Sequence, residues 1–396
     1  MADTLKRRIG PGLLTAYGVG VMVGAGIYVL VGAVAAEAGI WAPVSFLLAG
    51  LVAAPSALSY AELSTRIPEA AGEAAYIEAG LASHGLAVLV GLAIVVAGTV
   101  SAAAVLRGGV GYLTSVIDVP TMAAILALGA ALLAVAIAGV LESLALAALF
   151  TLVEVIGLAL VVWAGFTADV SPDWSAPAGL PLAGLGVGAT LAFFAFIGFE
   201  DIVNMAEEVR NPARSLPLAI LGSLIITTLL YILVSLAAVR VLPVADLASS
   251  EQPLALVWQV RTGGSAGFLA LIAVVAALNG VLAQLVMAAR VLFGLGKRSP
   301  HLALFHRAHA RFGTPVLATV LVGVAVIGAA LVLPVAALAS VTSTVLLSVF
   351  VLVNLALIRL KARQPEAPFH VHVAVPWAGL VAALGALVAF AGGQIV

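Results

Sequence analysis

The sequence predicts an all-α, multi-spanning membrane protein in which two five-helix repeats of opposite orientation are followed by one more helix. Three observations carry this. Charged residues make up only 9% of the 396, hydrophobic residues make up 64%, and the mean hydropathy is +1.25. The apolar residues fall into runs long enough to cross a bilayer. The first and sixth of these runs are both interrupted near their centres.

A soluble domain of ordinary composition is roughly 25% charged. This chain has too little charge to coat a soluble surface of its size. Its formal net charge of −1 and its apolar bulk argue against a disordered chain, a nucleic-acid binder or a soluble enzyme. There is no cysteine, so disulfides, thiolate metal sites and a cysteine nucleophile are excluded.

A spanning helix needs about 20 mostly apolar residues. Charged and Pro/Gly-rich breaks place spans at 11–37, 41–65, 85–116, 121–141, 144–168, 181–207, 215–240, 263–296, 314–333, 336–359 and 373–393. The third and eighth are long, which implies tilt or extra turns among the headgroups. The first follows Lys6, Arg7 and Arg8 directly. It is far longer than a signal-peptide core and reads as a retained helix. Basic residues set the orientation. With a cytoplasmic N-terminus, outside segments hold only Arg240 and Arg261, Arg107 lies within the third span, and every other Lys and Arg falls inside. A multi-pass protein of the plasma membrane is expected. Its divisions are 1–168, 169–360 and an additional helix in 361–396. His301, His306 and His309 lie in a basic loop with no carboxylate beside them, so a solvated loop is favoured over a metal site. The stretch 169–180 reads as a turn-rich connector.

Polar groups at membrane depth cost about 2.5–3.5 kcal/mol each on insertion scales and are therefore informative. Glu62, Arg290, Glu207 and Glu208 sit near span ends, where snorkelling or gate ion pairs explain them. Asn279 and Gln284 read first as links between helices, with a direct substrate role as the lesser alternative, and Asn204 and Asn354 are further polar residues at depth. Glu154 and Glu200 lie well inside their spans.

The first span contains Gly18, Gly20, Gly24 and Gly26. Each glycine weakens a helix by about 1 kcal/mol relative to alanine. Gly20 and Gly24 also fit close helix packing of the small-xxx-small kind. The sixth span runs Phe193-Phe194-Ala195-Phe196-Ile197-Gly198-Phe199-Glu200-Asp201. Two adjacent acids at this depth need a cavity, a partner or the free N–H groups of a broken helix end. A helix restarting after Gly198 supplies such groups. Breaks five spans apart are the layout of an inverted repeat, because five spans return the chain to the opposite side. Half-helix N-termini offer N–H groups to an anion, and unwound carbonyls accept from a cation. An α-amino acid carries both charges, and its recognition this way needs no charged side chain.

These residues resemble the amino acid–polyamine–organocation (APC) superfamily, and within it the cationic amino acid transporter branch. Four stretches carry the resemblance: Gly24-Ala25-Gly26-Ile27-Tyr28; Ala57 to Leu63 with Arg66-Ile67-Pro68 and Gly72; Phe193 to Pro212; and Arg290 to Gly294 with Thr314-Pro315. The resemblance runs in order over about 6–360. It implies a 5+5 inverted-repeat (LeuT-like) fold with broken helices 1 and 6, and a rocking-bundle, alternating-access cycle. It places the substrate carboxylate on the N–H groups of Gly24, Ala25 and Gly26. The ammonium falls on carbonyls at Met22, Phe194 and Ile197, beside the break at Gly198. Glu200 matches an acid linked to gating or proton sensing.

One departure stands out. Many relatives place a Lys in helix 5 where sodium-coupled cousins bind an ion, and this chain has Glu154 at or next to that position. Burial penalises the carboxylate's charge, so a proton carrier is the first reading. Binding of a cation such as sodium, pairing with Arg107 and a structural hydrogen bond remain open.

The function that follows is secondary active transport of amino acids, proton-coupled, with exchange without net proton coupling as the alternative. The ligands expected are a small-molecule amino acid, the coupling proton and the surrounding lipid bilayer. No cofactor and no obligate protein partner is indicated. A pocket of small residues suits a modest neutral amino acid, while Glu200 and Asp201 leave a cationic one open. A gated channel needs a polar stripe that the chain lacks, and a non-transporting sensor would need an output domain. No HExxH or GxSxG motif supports an intramembrane enzyme.

Overall fold

A computed structural model describes residues 9–24, 26–69, 72–114, 116–138, 144–175, 179–309 and 314–393. The chain alternates long apolar helices with short ones at their ends. In order they are α1 (Pro11–Val23), α2 (Gly26–Ala38), α3 (Ala42–Arg66), α4 (Gly72–Leu81), α5 (His84–Thr114), α6 (Thr121–Ala138), α7 (Leu144–Thr167) and α8 (Pro172–Ser175). There follow α9 (Leu182–Phe193), α10 (Pro212–Val241), α11 (Val244–Ser249), α12 (Pro253–Thr262), α13 (Gly267–Arg298), α14 (Val316–Val332), α15 (Val335–Arg363) and α16 (Ala374–Gly393). Among the described residues eight segments are long and apolar enough to cross a membrane, and Pro11–Val23, Val316–Val332 and Ala374–Ala389 are shorter apolar helices. The helix bounds follow the apolar runs closely. The short helices α4, α8, α11 and α12 are not legible in the sequence, because hydropathy reports depth and not local backbone geometry.

Small residues set the packing. α5 and α13 lie side by side, and a Cβ at Gly98 would stand 2.9 Å from Met287 Cε and one at Gly91 2.5 Å from Leu295 Cδ2. α1 lies on α7 and α10, and α2 lies on α9. α6 and α14 form a flank whose outward side chains, including Met122, Leu126, Leu321 and Val324, are exposed and apolar. That surface suits lipid tails and not water. α5 has 31 residues, about 46 Å at 1.5 Å per residue. It exceeds the roughly 30 Å hydrocarbon thickness and must tilt or project from it.

Cations tie the helix ends. Near the C-terminal end of α5, Arg107 donates to the Ala330 carbonyl at 2.7 Å. This corrects the alternative that Arg107 pairs with Glu154: the guanidinium caps α14, whose last carbonyls have no partner within their own helix. Arg107→Leu is expected to lower stability by about 1–3 kcal/mol, read as a fall in thermal midpoint in detergent. Arg240 caps α7 through Gly165 (2.6 Å) and Ala168 (3.1 Å). At the opposite end of α5, Arg298 pairs with Glu78. There Glu62 binds Arg66 and Lys361, each at 2.6 Å. Asn354 reaches Ser56 and Ser59, joining α15 to α3. Among the described residues no His, Cys, Asp or Glu group has metal-binding geometry. His306 stacks on Phe293 instead.

Candidate functional site

The two interruptions meet in the interior. α1 stops at Val23, and Gly24 takes a backbone of φ +21° and ψ −138° that disfavours an L side chain. Its N–H donates back to the Gly20 carbonyl at 3.0 Å, so it is already engaged within the helix. α2 restarts at Gly26, and its first N–H groups have no partner within their own helix. Ala25 lies outside the described residues. Across from this break, α9 stops at Phe193, a 3-10 turn covers Phe194–Phe196, and Ile197 is extended. Gly198 adopts φ +129°. A Cβ there would stand 2.7 Å from Val21 Cγ1 and 3.1 Å from the Met22 nitrogen. A Cβ at Gly26 would stand 3.1 Å from Ala195 Cα. The glycines thus let one break touch the other backbone to backbone.

Tyrosines hold the junction. The Tyr231 hydroxyl lies 2.6 Å from the Met22 carbonyl and 2.8 Å from that of Ala195. Tyr112 donates to the Tyr28 carbonyl at 2.6 Å, and Tyr28 donates to the Glu154 carbonyl at 3.1 Å. The Met22 carbonyl therefore has one lone pair left for another donor.

Between the breaks and the α5–α13 pair lies a narrow pocket of about 20 Å³, room for about one water. Met22, Gly24, Gly26, Phe194 and Ile197 line it. Val21 joins them from α1, Ser101 and Val105 from α5, and Gly280 and Gln284 from α13. Of these added residues only Gln284 is marked by the sequence, as a polar residue at depth. Ser101, Val105 and Gly280 look like any other lining of an apolar helix.

Three site residues stand elsewhere. Gly198 does not line the pocket, and its N–H donates to Glu200 Oε2 at 3.0 Å. Glu200 is thereby folded onto its own turn. The segment after the break, Glu200–Glu208, is a 3-10 helix and not the α-helix expected. Glu154 is fully buried on α7, and Asn279 Nδ2 approaches its Oε1 at 3.5 Å. Its Oε2 has no hydrogen-bond partner among the described residues. Asp201 accepts from Gln284 at 2.8 Å, which links the 3-10 segment to the pocket wall. Of the phenylalanines that could form a lid, only Phe194 borders the pocket. Phe193 and Phe199 pack on Phe350, and Phe196 packs on Tyr231. The side chains of Glu207 and Glu208 lie outside what is described.

The architecture is thus a narrow pocket bounded by two helix breaks in an apolar bundle. The family model described as amino acid permease matches residues 13–395. The chain belongs to the amino acid permease family. This is a family of transporters in the APC superfamily and not of enzymes. The permease is 29% identical to the branched-chain amino acid permease BcaP of Bacillus subtilis, over 92% of this chain and 83% of that one. It is 30% identical to the methylthioribose transporter of the same bacterium, over 92% and 83%. It is 32% identical to human cationic amino acid transporter 4, over 93% of this chain and 62% of the human protein. The chain spans 58% of the length of the chloroplastic cationic amino acid transporter 9 of Arabidopsis thaliana, at 32% identity.

Proposed function

We propose that this permease is a secondary active transporter that carries a neutral amino acid of modest size by alternating access, coupled to proton entry. The observation that carries the reading is the pocket between the two breaks. It borders the N-terminal end of α2, where unpaired N–H groups favour a carboxylate. It also borders the end of α1, where the Met22 carbonyl can accept from an ammonium. No acidic side chain lines it, so a cationic substrate side chain would lack a counter-charge. Its aliphatic wall (Val21, Val105, Ile197) matches an aliphatic one, and the relative named as a branched-chain permease fits this choice.

The ten spans that end with α15 are read as two inverted repeats, with α1/α2 and the α9 segment as the paired broken helices and α16 as an addition. Rocking of these broken helices opens the pocket to each side in turn. The end carrying Arg66, Arg298 and Lys361 is assigned to the cytoplasm, and the membrane is the plasma membrane. Glu154, buried with one oxygen free and Asn279 as its neighbour, is the coupling proton's carrier.

The test is uptake of labelled leucine and lysine into proteoliposomes under an imposed pH gradient. Saturable leucine accumulation is expected, with counterflow that a channel would not show. Glu154→Gln is expected to keep exchange but lose uphill accumulation by about tenfold or more, the factor that one pH unit of driving force supplies. Accumulation retained in the Gln variant would remove Glu154 from coupling. Exchange without gradient-driven uptake in the unmodified protein would establish an exchanger instead.

A further inference from the structure

The transport reading leaves a buried polar group unused next to the pocket, reached through Gln284 and Asp201. Its members are Glu73 on α4, Tyr60 on α3, and Glu200, Asp201 and Asn204 on the 3-10 segment. Glu73 is 3% exposed. Its carboxyl is set against the Tyr60 hydroxyl, and neither Gln284 Oε1 nor the Asn204 amide has a hydrogen-bond partner among the described residues. Glu73 acts electrostatically on both Glu200 and Asp201.

α4 packs on α5 and α15. Left-handed backbone brackets it, at Gly72 (φ +41°) and at Ala82 (φ +52°). Ala82 is not a glycine, so its conformation costs energy that neighbouring structure must hold in place. Gly72 seats on the 3-10 segment closely enough that a Cβ would stand 3.1 Å from Asn204 Oδ1 and 3.3 Å from Val203 Cγ2.

The charges around α4 are spoken for. His84 of α5 and Arg298 of α13 pair with Glu78, and Arg298 also pairs with Glu69. Arg363 of α15 lies 3.5 Å from the Gly80 carbonyl. Glu62 of α3 is held by Arg66 and Lys361. Arg290 shares Tyr17 with Asp201 and is exposed. The titratable groups left facing Glu73 are Tyr60, Tyr76, Glu200 and Asp201.

We propose that Glu73 is a proton-binding latch: protonated, it lets α4 sit on the 3-10 segment, and ionised, its charge cannot stay buried there and α4 lifts away, opening that end of the protein. The inference rests on the transport reading only for what passes through the opening. α4 lies outside the spanning helices, and burial pushes the Glu73 carboxyl up from 4.5 to about 7. The seated state therefore binds the proton more tightly than the open one. Its advantage is complete below about pH 4.5 and is lost as pH rises to about 7. Above that value opening levels off. Acidification of that compartment would shut the gate.

The natural chain has no cysteine, which supplies the assay. Val203→Cys places a thiol where Val203 is fully buried under α4. Gly85→Cys places one where nothing lies within 4 Å. The ratio of their labelling rates by a thiosulfonate reagent cancels the reagent's own pH dependence. The ratio is expected to rise between about pH 5 and 7, by up to about tenfold per unit, and then level off. Glu73→Gln should flatten it, and Glu73→Asp should keep a slope. Glu73→Met serves as the neutral variant if the Gln protein does not fold. A flat ratio with Glu73 present, or a slope surviving in the neutral variants, would overturn the proposal. The readout needs no substrate, so it stands or falls separately from transport.

Discussion

Gly198→Val is expected to abolish amino acid binding and to destabilise the protein by about 2–6 kcal/mol. Two costs add. The native φ of +129° is a conformation that a β-branched residue strongly disfavours, at about 1–3 kcal/mol. The new Cβ also meets Val21 Cγ1 at 2.7 Å and the Met22 nitrogen at 3.1 Å, and overpacking of this kind costs about 1–3 kcal/mol. Backbone atoms cannot rotate away, so relief comes only by separating the two breaks. That moves Met22 and Ile197, both of which line the pocket. The measurement is thermal stability with and without amino acids, beside Gly186→Ala, where nothing lies within 4 Å. The control should keep its ligand-induced shift. A Gly198→Val protein that still shows that shift would refute the backbone-to-backbone junction. Gly26 is a less clean probe of binding than Gly198. Its Cβ would press on Ala195 Cα, so a substitution there disturbs packing and recognition together.

Glu62→Leu is expected to cost about 3–5 kcal/mol by breaking a buried ion pair and stranding the other partner. Glu62 is fully buried and accepts from Arg66, Lys361 and the Val371 N–H, the last at 2.8 Å. Arg66 can still reach the carbonyls of Gln364 and Glu366. Lys361, 8% exposed, keeps only the Val371 carbonyl. The α15–α16 connection should loosen, and the thermal midpoint should fall well below that of the unmodified protein. Adding Lys361→Met should recover most of the loss, because the uncompensated charge is what costs. A double variant no more stable than the single one would show that geometry, and not charge, holds this corner.

What is legible in the sequence follows from the bilayer itself. A hydrocarbon solvent demands internally satisfied backbone, so runs of apolar residues read directly as helices, and α3, α5 and α13 begin and end within a few residues of their runs. The same demand makes each polar residue at depth conspicuous, which is why Glu154, Glu200, Asp201, Asn279 and Gln284 stand out. Their partners do not, since pairing joins residues as distant as Asp201 and Gln284. Arg107 shows the consequence. Its charge suggests a carboxylate, but the groups it reaches are unpaired carbonyls at the end of α14.

Hydropathy and the glycine-rich interruptions are local chain properties, and they suffice to set the class of protein, its long helices and the two places where helices give way. Contacts between distant helices settle the rest. They determine which groups at those breaks remain free, that Ser101, Val105, Gly280 and Gln284 complete the pocket, and that Glu73 comes within electrostatic reach of Glu200 and Asp201. Helix–helix approach is set by the fit of small and large side chains across many turns, and a linear pattern does not encode that fit.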